Sequence, residues 1–277
     1  MRHLSPRVLV LPSQGRLLIS TDLHGNLDDF QALRRRFERA LDDGEDVHWA
    51  LLGDLVHGPD EETAQREPRL YGFSDESPAL IDALFELRSQ HPRRVHVLLG
   101  NHDAGHVGLR RTSKFHPDEV EALERRLTPG QRERLDALFG SALLLALAPC
   151  GLVLAHGSPG EALESLELLD GPLPPVEPRR RAAVNELLWS YGQRGEVTAA
   201  LLARLSAETG LALRVVVHGH DRDEAGWFVE GDNQVQPVIF GAPRERRRCL
   251  WVDLGARVES PAALREGQEL RLVHSAD

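Results

Sequence analysis

The chain has 277 residues, of which 33 are Lys or Arg, 43 Asp or Glu, 13 His and 2 Cys. At 41% hydrophobic residues it has the composition of a folded globular protein with a sizeable core. A net charge of −10 argues against a broad basic nucleic-acid surface, two cysteines exclude a disulfide framework or a Cys-rich zinc site, and no apolar run is long enough to span a bilayer.

The N-terminal apolar run, Val8–Leu11, stops at Pro12 and makes no clean secretory signal. A soluble, cytoplasmic protein with no membrane partner is expected. Arg16–Ser20 reads as a short strand. Leu27, Phe30, Leu33 and Phe37 follow at helical spacing, with Asn26 placed to cap. Val47–Leu52 is the next strand, Pro78–Gln90 a helix and Val95–Leu99 a third strand. Strands alternating with helices point to α/β layering. Thr128 and Pro129 open a helix as cap and first-turn proline. Ala142–Ala148 and Leu152–Ala155 flank a Pro-Cys-Gly turn and predict a hairpin. The proline-rich stretch Asp170–Pro178 reads as a loop, followed by helices over Arg179–Trp189 and Val197–Thr209. The remainder is predicted to be mostly β: Leu213–Val217, Trp227–Glu230, Val235–Phe240, Cys249–Val252 and Leu270–His274. No linker interrupts the chain, which predicts a single domain over 1–277. Lys114 is the only lysine. Composition bias explains that without invoking function, and it leaves phosphate recognition to arginine.

Polar residues cluster where apolar strands end. The first strand runs into Thr21-Asp22-Leu23-His24-Gly25-Asn26 and the second into Gly53-Asp54-Leu55-Val56-His57-Gly58. The third runs into Gly100-Asn101-His102-Asp103. The second hairpin strand runs into His156-Gly157, and Leu213–Val217 into His218-Gly219-His220-Asp221. Ligands of open α/β sheets bind beyond the carboxyl ends of strands, so these segments can converge on one site. Any one of them alone reads equally well as a turn. Carboxylate, imidazole and amide ligands without thiolate suit Mn, Fe, Zn or Co. More than four candidates suggest two ions about 3.5–4 Å apart, an arrangement that clamps phosphoryl groups and acidifies a bound water.

The order Asp-x-His-Gly, Gly-Asp, Gly-Asn-His-Asp, His-Gly, Gly-His resembles the calcineurin-like metallophosphoesterases. It is most similar to their phosphoprotein phosphatase branch, which includes Ser/Thr phosphatases and bacterial diadenosine tetraphosphatases. Leu187-Leu188-Trp189-Ser190 and Phe240-Gly241-Ala242-Pro243 support the resemblance, which covers residues 16–253. It implies an α/β sandwich of two mixed β-sheets flanked by helices. It also implies that Asp22 and His24 hold one ion, Asp54 bridges, and Asn101, His156 and His220 hold the other. His102 would be the general acid, with Asp103 and His57 as further catalytic candidates. His218 stays open as a ligand or as a neighbour of the ligands. The cofactor implied is a pair of divalent ions, manganese foremost.

Two departures stand out. The branch usually has Gly-Asp-x-Val-Asp-Arg-Gly. Here His57 replaces the aspartate that orients the catalytic histidine, and Gly58 replaces the phosphate-gripping arginine. No arginine precedes Gly100 either. Arg222 and Arg244, each just after a matched motif, are the favoured substitutes, ahead of Arg110, Arg111 and the Arg246–Arg248 run. The expected activity is phosphomonoester hydrolysis, with a Ser/Thr or dual-specificity protein phosphatase as one form of it. Hydrolysis of dinucleotide polyphosphates or other phosphoanhydrides is the alternative, and an inactive metal-binding scaffold the reading from another class. The expected partner is a phosphorylated substrate, with no nucleic acid.

Overall fold

The computed structural model describes residues 1–274. The strands are β1 (Arg2–Ser5), β2 (Val8–Val10), β3 (Arg16–Ser20), β4 (Val47–Leu51), β5 (Val95–Val97), β6 (Leu145–Ala148), β7 (Leu152–Leu154), β8 (Val215–Val217), β9 (Trp227–Glu230), β10 (Gln234–Pro237), β11 (Arg248–Asp253) and β12 (Leu270–Leu272). The helices are α1 (Leu27–Asp42), α2 (Glu61–Arg66), α3 (Pro68–Tyr71), α4 (Ser77–Gln90), α5 (Glu119–Glu124), α6 (Pro129–Gly140), α7 (Pro178–Trp189) and α8 (Gly195–Thr209). A seven-stranded sheet has the order β1-β2-β6-β7-β8-β10-β9, and a five-stranded sheet the order β12-β11-β3-β4-β5. Both are mixed, and helices flank them, as the sequence implied.

Strand alternation builds the layers. Leu17, Ile19, Ala50 and Leu52 face Ala146, Ala148, Leu152, Leu154, Val215 and Val217 across the space between the sheets. Leu18, Trp49 and Leu51 point the opposite way, into the helix layer. There Phe30 stacks on Trp49 with ring centroids 5.5 Å apart, and Phe37 lies 5.8 Å from the same ring. Each buried aromatic or leucine side chain contributes on the order of 1.5–3 kcal/mol. Asn26 caps α1 by accepting the Asp29 amide at 3.1 Å. Thr128 and Gln131 form a capping box on α6, and Gly210 ends α8 in the left-handed region.

β3, β4 and β5 run parallel, as do β7 and β8, so their carboxyl ends meet at one edge. The loops leaving those ends are bonded to one another. The Asp22 amide donates to the Gly53 carbonyl (3.0 Å), His24 to Asp54 (2.9 Å) and Gly219 to His156 (2.7 Å). The β6–β7 hairpin forms as expected. β1, β2 and the short helices α2, α3 and α5 lacked a readable period. No helix among the described residues is long and apolar enough to cross a membrane.

Candidate metal centre

Four strand ends bring Asp22, His24, Asp54, Asn101, His102 and His220 to the wall of one cleft of about 720 Å³. His156 lies behind them, fully buried. Among the described residues, the non-glycine positions with positive φ are Asp22 (47°), His24 (45°), Asp54 (52°), His57 (69°) and His220 (77°). All belong to the strand-end motifs. Left-handed backbone costs such residues about 1–3 kcal/mol each and persists only where the surroundings enforce it. Glycines make room for this crowding. A Cβ on Gly100 would stand 2.1 Å from the Asp54 amide nitrogen, and one on Gly219 2.5 Å from Asp22 Oδ2.

Asp54 is the hub. Its Oδ2 lies 3.5 Å from His24 Nε2 and 3.5 Å from His156 Nε2, while Oδ1 accepts the His102 amide at 2.8 Å. Asn101 Oδ1 lies 2.8 Å from His156 Nε2 and 2.9 Å from His220 Nδ1. His24 Nδ1 meets the His57 carbonyl at 2.9 Å, and His156 Nδ1 meets the Leu52 carbonyl at 2.8 Å. A carbonyl accepts only from N–H, so each Nδ1 carries the proton and each Nε2 presents a lone pair toward Asp54. This is how neutral imidazole ligands are presented to a divalent ion. His24, Asp54 and His102 form one group able to hold an ion, and Asp54, His156 and His220 another. Asp54 belongs to both, and the mixed O/N donor set fits two ions that share it.

The electrostatics agree. Burial opposes ionisation of Asp54, but His156, His102, His24 and His220 outweigh it and hold its pKa below the usual carboxylate range. Burial pushes the Asp22 carboxyl up to about 6. Burial also holds His24 well below its ordinary value and His220 down to about 3, so both are neutral donors at pH 7.

His102 Nδ1 bonds to Glu119 Oε2 at 2.6 Å, which leaves Nε2 for the cleft. Burial alone would lower the His102 pKa; Asp54 and the Glu119 hydrogen bond outweigh it and raise it. Sequence reasoning missed Glu119, which sits in an acidic run at the start of α5. It also passed over Lys114, whose ammonium lies in the cleft 4.7 Å from the Phe240 ring centroid. The signal was present in its being the chain's only lysine. Burial, then Arg222, lowers its pKa.

The other sequence candidates are placed as follows. Asp103 does not line the cleft. It is buried and accepts the Leu55 amide at 2.9 Å and the Gly100 amide at 3.1 Å, tying two ligand loops together. His57 is turned away as well, with Nε2 2.9 Å from His106 Nε2 and its ring stacked on that of His106. Its backbone carbonyl, not its imidazole, serves the site. His218 is fully buried; its Nδ1 faces the Gly219 carbonyl at 2.9 Å and its Nε2 has no partner among the described residues. It belongs to neither ion-holding group. Arg222 lines the cleft and donates to the Tyr71 hydroxyl at 2.7 Å. Arg244 corrects the reading: a 3₁₀ turn, Arg244–Arg246, aims it away, and it pairs with Asp28 at 2.7 Å. Arg247 pairs with buried Asp29, and Arg248 with Glu266. Arg110 lies in the cleft over the Trp189 ring at 4.5 Å, and Arg111 pairs with Asp118.

A sequence model of the calcineurin-like phosphoesterases matches residues 15–230. Among solved structures, the chain is similar to a Saccharomyces cerevisiae protein serine/threonine phosphatase with similarity to human phosphatase PP5. That match has 17% identity, covers 89% of this chain and 76% of that one, and has a TM-score of 0.59. It is also similar to a cold-active protein tyrosine phosphatase, with 14% identity, coverage of 92% and 80%, and a TM-score of 0.51.

Proposed function

The chain belongs to the calcineurin-like phosphoesterase family, and from that premise we propose that it is a two-metal phosphomonoesterase. The observation that carries the proposal is the approach of two imidazole Nε2 atoms to one carboxylate oxygen, each at 3.5 Å. Asp22, His24 and Asp54 would hold one ion, and Asp54, Asn101, His156 and His220 the other. When bound, such ions supply Lewis acidity to the phosphoryl oxygens and a nucleophile at neutral pH. Manganese suits the O/N donors, and iron, zinc or cobalt are compatible with them.

The residues of the chain do the rest. His102, its Nδ1 anchored, holds a proton at Nε2 for the departing ester oxygen as the P–O bond breaks. Arg222 stands in the cleft to orient the phosphoryl group. The substrate class is a phosphate monoester, small or carried on a protein. The test is hydrolysis of p-nitrophenyl phosphate with added Mn²⁺ by wild type, Asp54→Asn and His102→Ala. Wild type should turn over, and both variants should lose at least about a hundredfold in kcat. Equal rates in all three would refute the site. An inactive wild type with every divalent ion tried would refute the enzymatic reading.

A further inference from the structure

The Asp54 loop lacks an aspartate and an arginine at positions 57 and 58, and neither residue that stands there takes over their function. His57 is engaged with His106. A Cβ at Gly58 would stand 2.7 Å from the His24 carbonyl oxygen. A different segment approaches the same place. Glu119, fully buried at the start of α5, offers one oxygen to His102 Nδ1 at 2.6 Å and to the Thr112 hydroxyl. Its other oxygen accepts the backbone amides of Lys114 and Phe115, both at 2.8 Å. One carboxylate therefore fixes the imidazole and the turn that carries Lys114.

That turn sets the Lys114 ammonium over the rings of Phe240 and Phe115, at 4.7 and 5.1 Å. The Phe240 ring is itself 4.0 Å from that of His24. The ammonium is thus one aromatic ring away from a proposed ligand, and it makes no ion pair with any described residue. A cation held against aromatic faces, beside a phosphoryl site and without a carboxylate partner, is free to receive an anion.

We infer that residues 112–119 supply both missing functions: Glu119 is the positioning residue for His102, and Lys114 joins Arg222 as a cation that grips the substrate phosphoryl oxygens. The inference rests on the phosphoesterase reading, so its test needs readouts apart from turnover.

For Lys114 the probe is inorganic phosphate, titrated calorimetrically into Mn²⁺-loaded protein. Lys114→Ala should weaken binding by about ten- to a hundredfold, the loss of one charged hydrogen bond, and Lys114→Arg should recover most of it. Equal phosphate affinity in wild type and Lys114→Ala would overturn this half. For Glu119, wild-type protein should show a strongly downfield proton NMR signal from His102 Nδ1–H. That signal should vanish in Glu119→Gln, and in His102→Ala as the assignment control. Its persistence in Glu119→Gln would overturn the second half. Glu119→Gln should also lower kcat more than KM, and more for an alkyl phosphate than for p-nitrophenyl phosphate, whose leaving group needs little protonation. Glu119→Asp should restore part of that difference. An equal loss on both esters would mean that Glu119 only holds the fold together. Were the wild type to hydrolyse no ester, calorimetry and NMR would still decide both halves.

Discussion

Placing at Gly58 the arginine usual in the phosphoprotein phosphatase branch should damage this protein. The Cβ of any side chain there would lie 2.7 Å from the His24 carbonyl oxygen, 2.8 Å from Asp75 Cβ and 3.1 Å from Asp75 Cα. Neither neighbour can give way cheaply. The His24 backbone is held by the hydrogen bond that its N–H donates to the Asp54 carbonyl at 2.9 Å. Asp75 accepts the Ser77 amide at 3.0 Å and is paired with Arg126. Overpacking of this kind costs about 1–3 kcal/mol. Each kcal/mol lowers the melting temperature by about 2–4 °C in a domain near this size. The shift falls on a proposed ligand, and a misplacement of about 1 Å in such a site can cost about a hundredfold in rate. Circular-dichroism melts and p-nitrophenyl phosphate kinetics of Gly58→Ala and Gly58→Arg separate the contributions. Both variants should melt several degrees lower, and the guanidinium should not lower KM. A Gly58→Arg protein with an unchanged melting temperature and a lower KM would refute the reasoning, and with it the need for a replacement cation.

Other changes have equally definite outcomes. Asp103→Ala leaves the buried Leu55 and Gly100 amides without their acceptor, and should cost about 1–3 kcal/mol per unpaired group in urea denaturation; an unchanged midpoint would mean that water replaces the carboxylate. Arg244→Ala should leave KM at the wild-type value and cost at most about 1 kcal/mol, because it removes only an exposed pair, whereas Arg222→Ala should raise KM. Burial, then His48, holds the His96 imidazole down to about 3 from an ordinary 6.5. The unfolded chain therefore binds the extra proton first, and stability is lost as pH falls from about 6.5 toward 3. For this one group the loss amounts to about 2 kcal/mol between pH 7 and pH 5. His96→Phe should flatten the slope of stability against pH by that amount, and an unchanged slope would show that His96 is protonated in the folded state.

The parts of the fold that follow from local periodicity were legible. Leu17 and Ile19 alternate with Leu18, and Phe30 and Phe37 repeat at helical spacing, so β3 and α1 could be read directly. The motif residues at strand ends could also be read, because Asp22, His24, Asp54, Asn101 and His220 each follow an apolar run. What could not be read was the direction of a side chain in an irregular segment. Asp103 and His57 sit beside ligands in sequence, yet one ties backbone amides and the other stacks on His106. Arg244 follows a motif and then turns toward Asp28. Glu119 reaches His102 across a loop whose course no period dictates, and its neighbours Asp118 and Glu121 look the same in sequence. Lys114 was conspicuous by its rarity, but rarity has no direction, and only the packing of its turn puts the ammonium in the cleft.

The strained backbone at the ligands follows from building a site out of strand ends. Along a strand, successive side chains point to opposite faces, so two packed sheets would send neighbouring polar residues to opposite sides. A left-handed residue two or three positions past the strand end breaks that alternation. Asp22 after β3, Asp54 after β4 and His220 after β8 all take that conformation. Glycine would adopt it at lower cost but has no ligand atom to offer. The cost is sustained by bonds between the loops themselves, from Asp22 to Gly53, from His24 to Asp54 and from Gly219 to His156. Those bonds require close backbone approach, which explains why Gly53, Gly100 and Gly219 flank the ligands and leave no space for a Cβ. The same crowding closes position 58 to any side chain. Arg222 follows the His220 ligand into the cleft, and the turn at Lys114 brings a second cation there from outside the ligand loops.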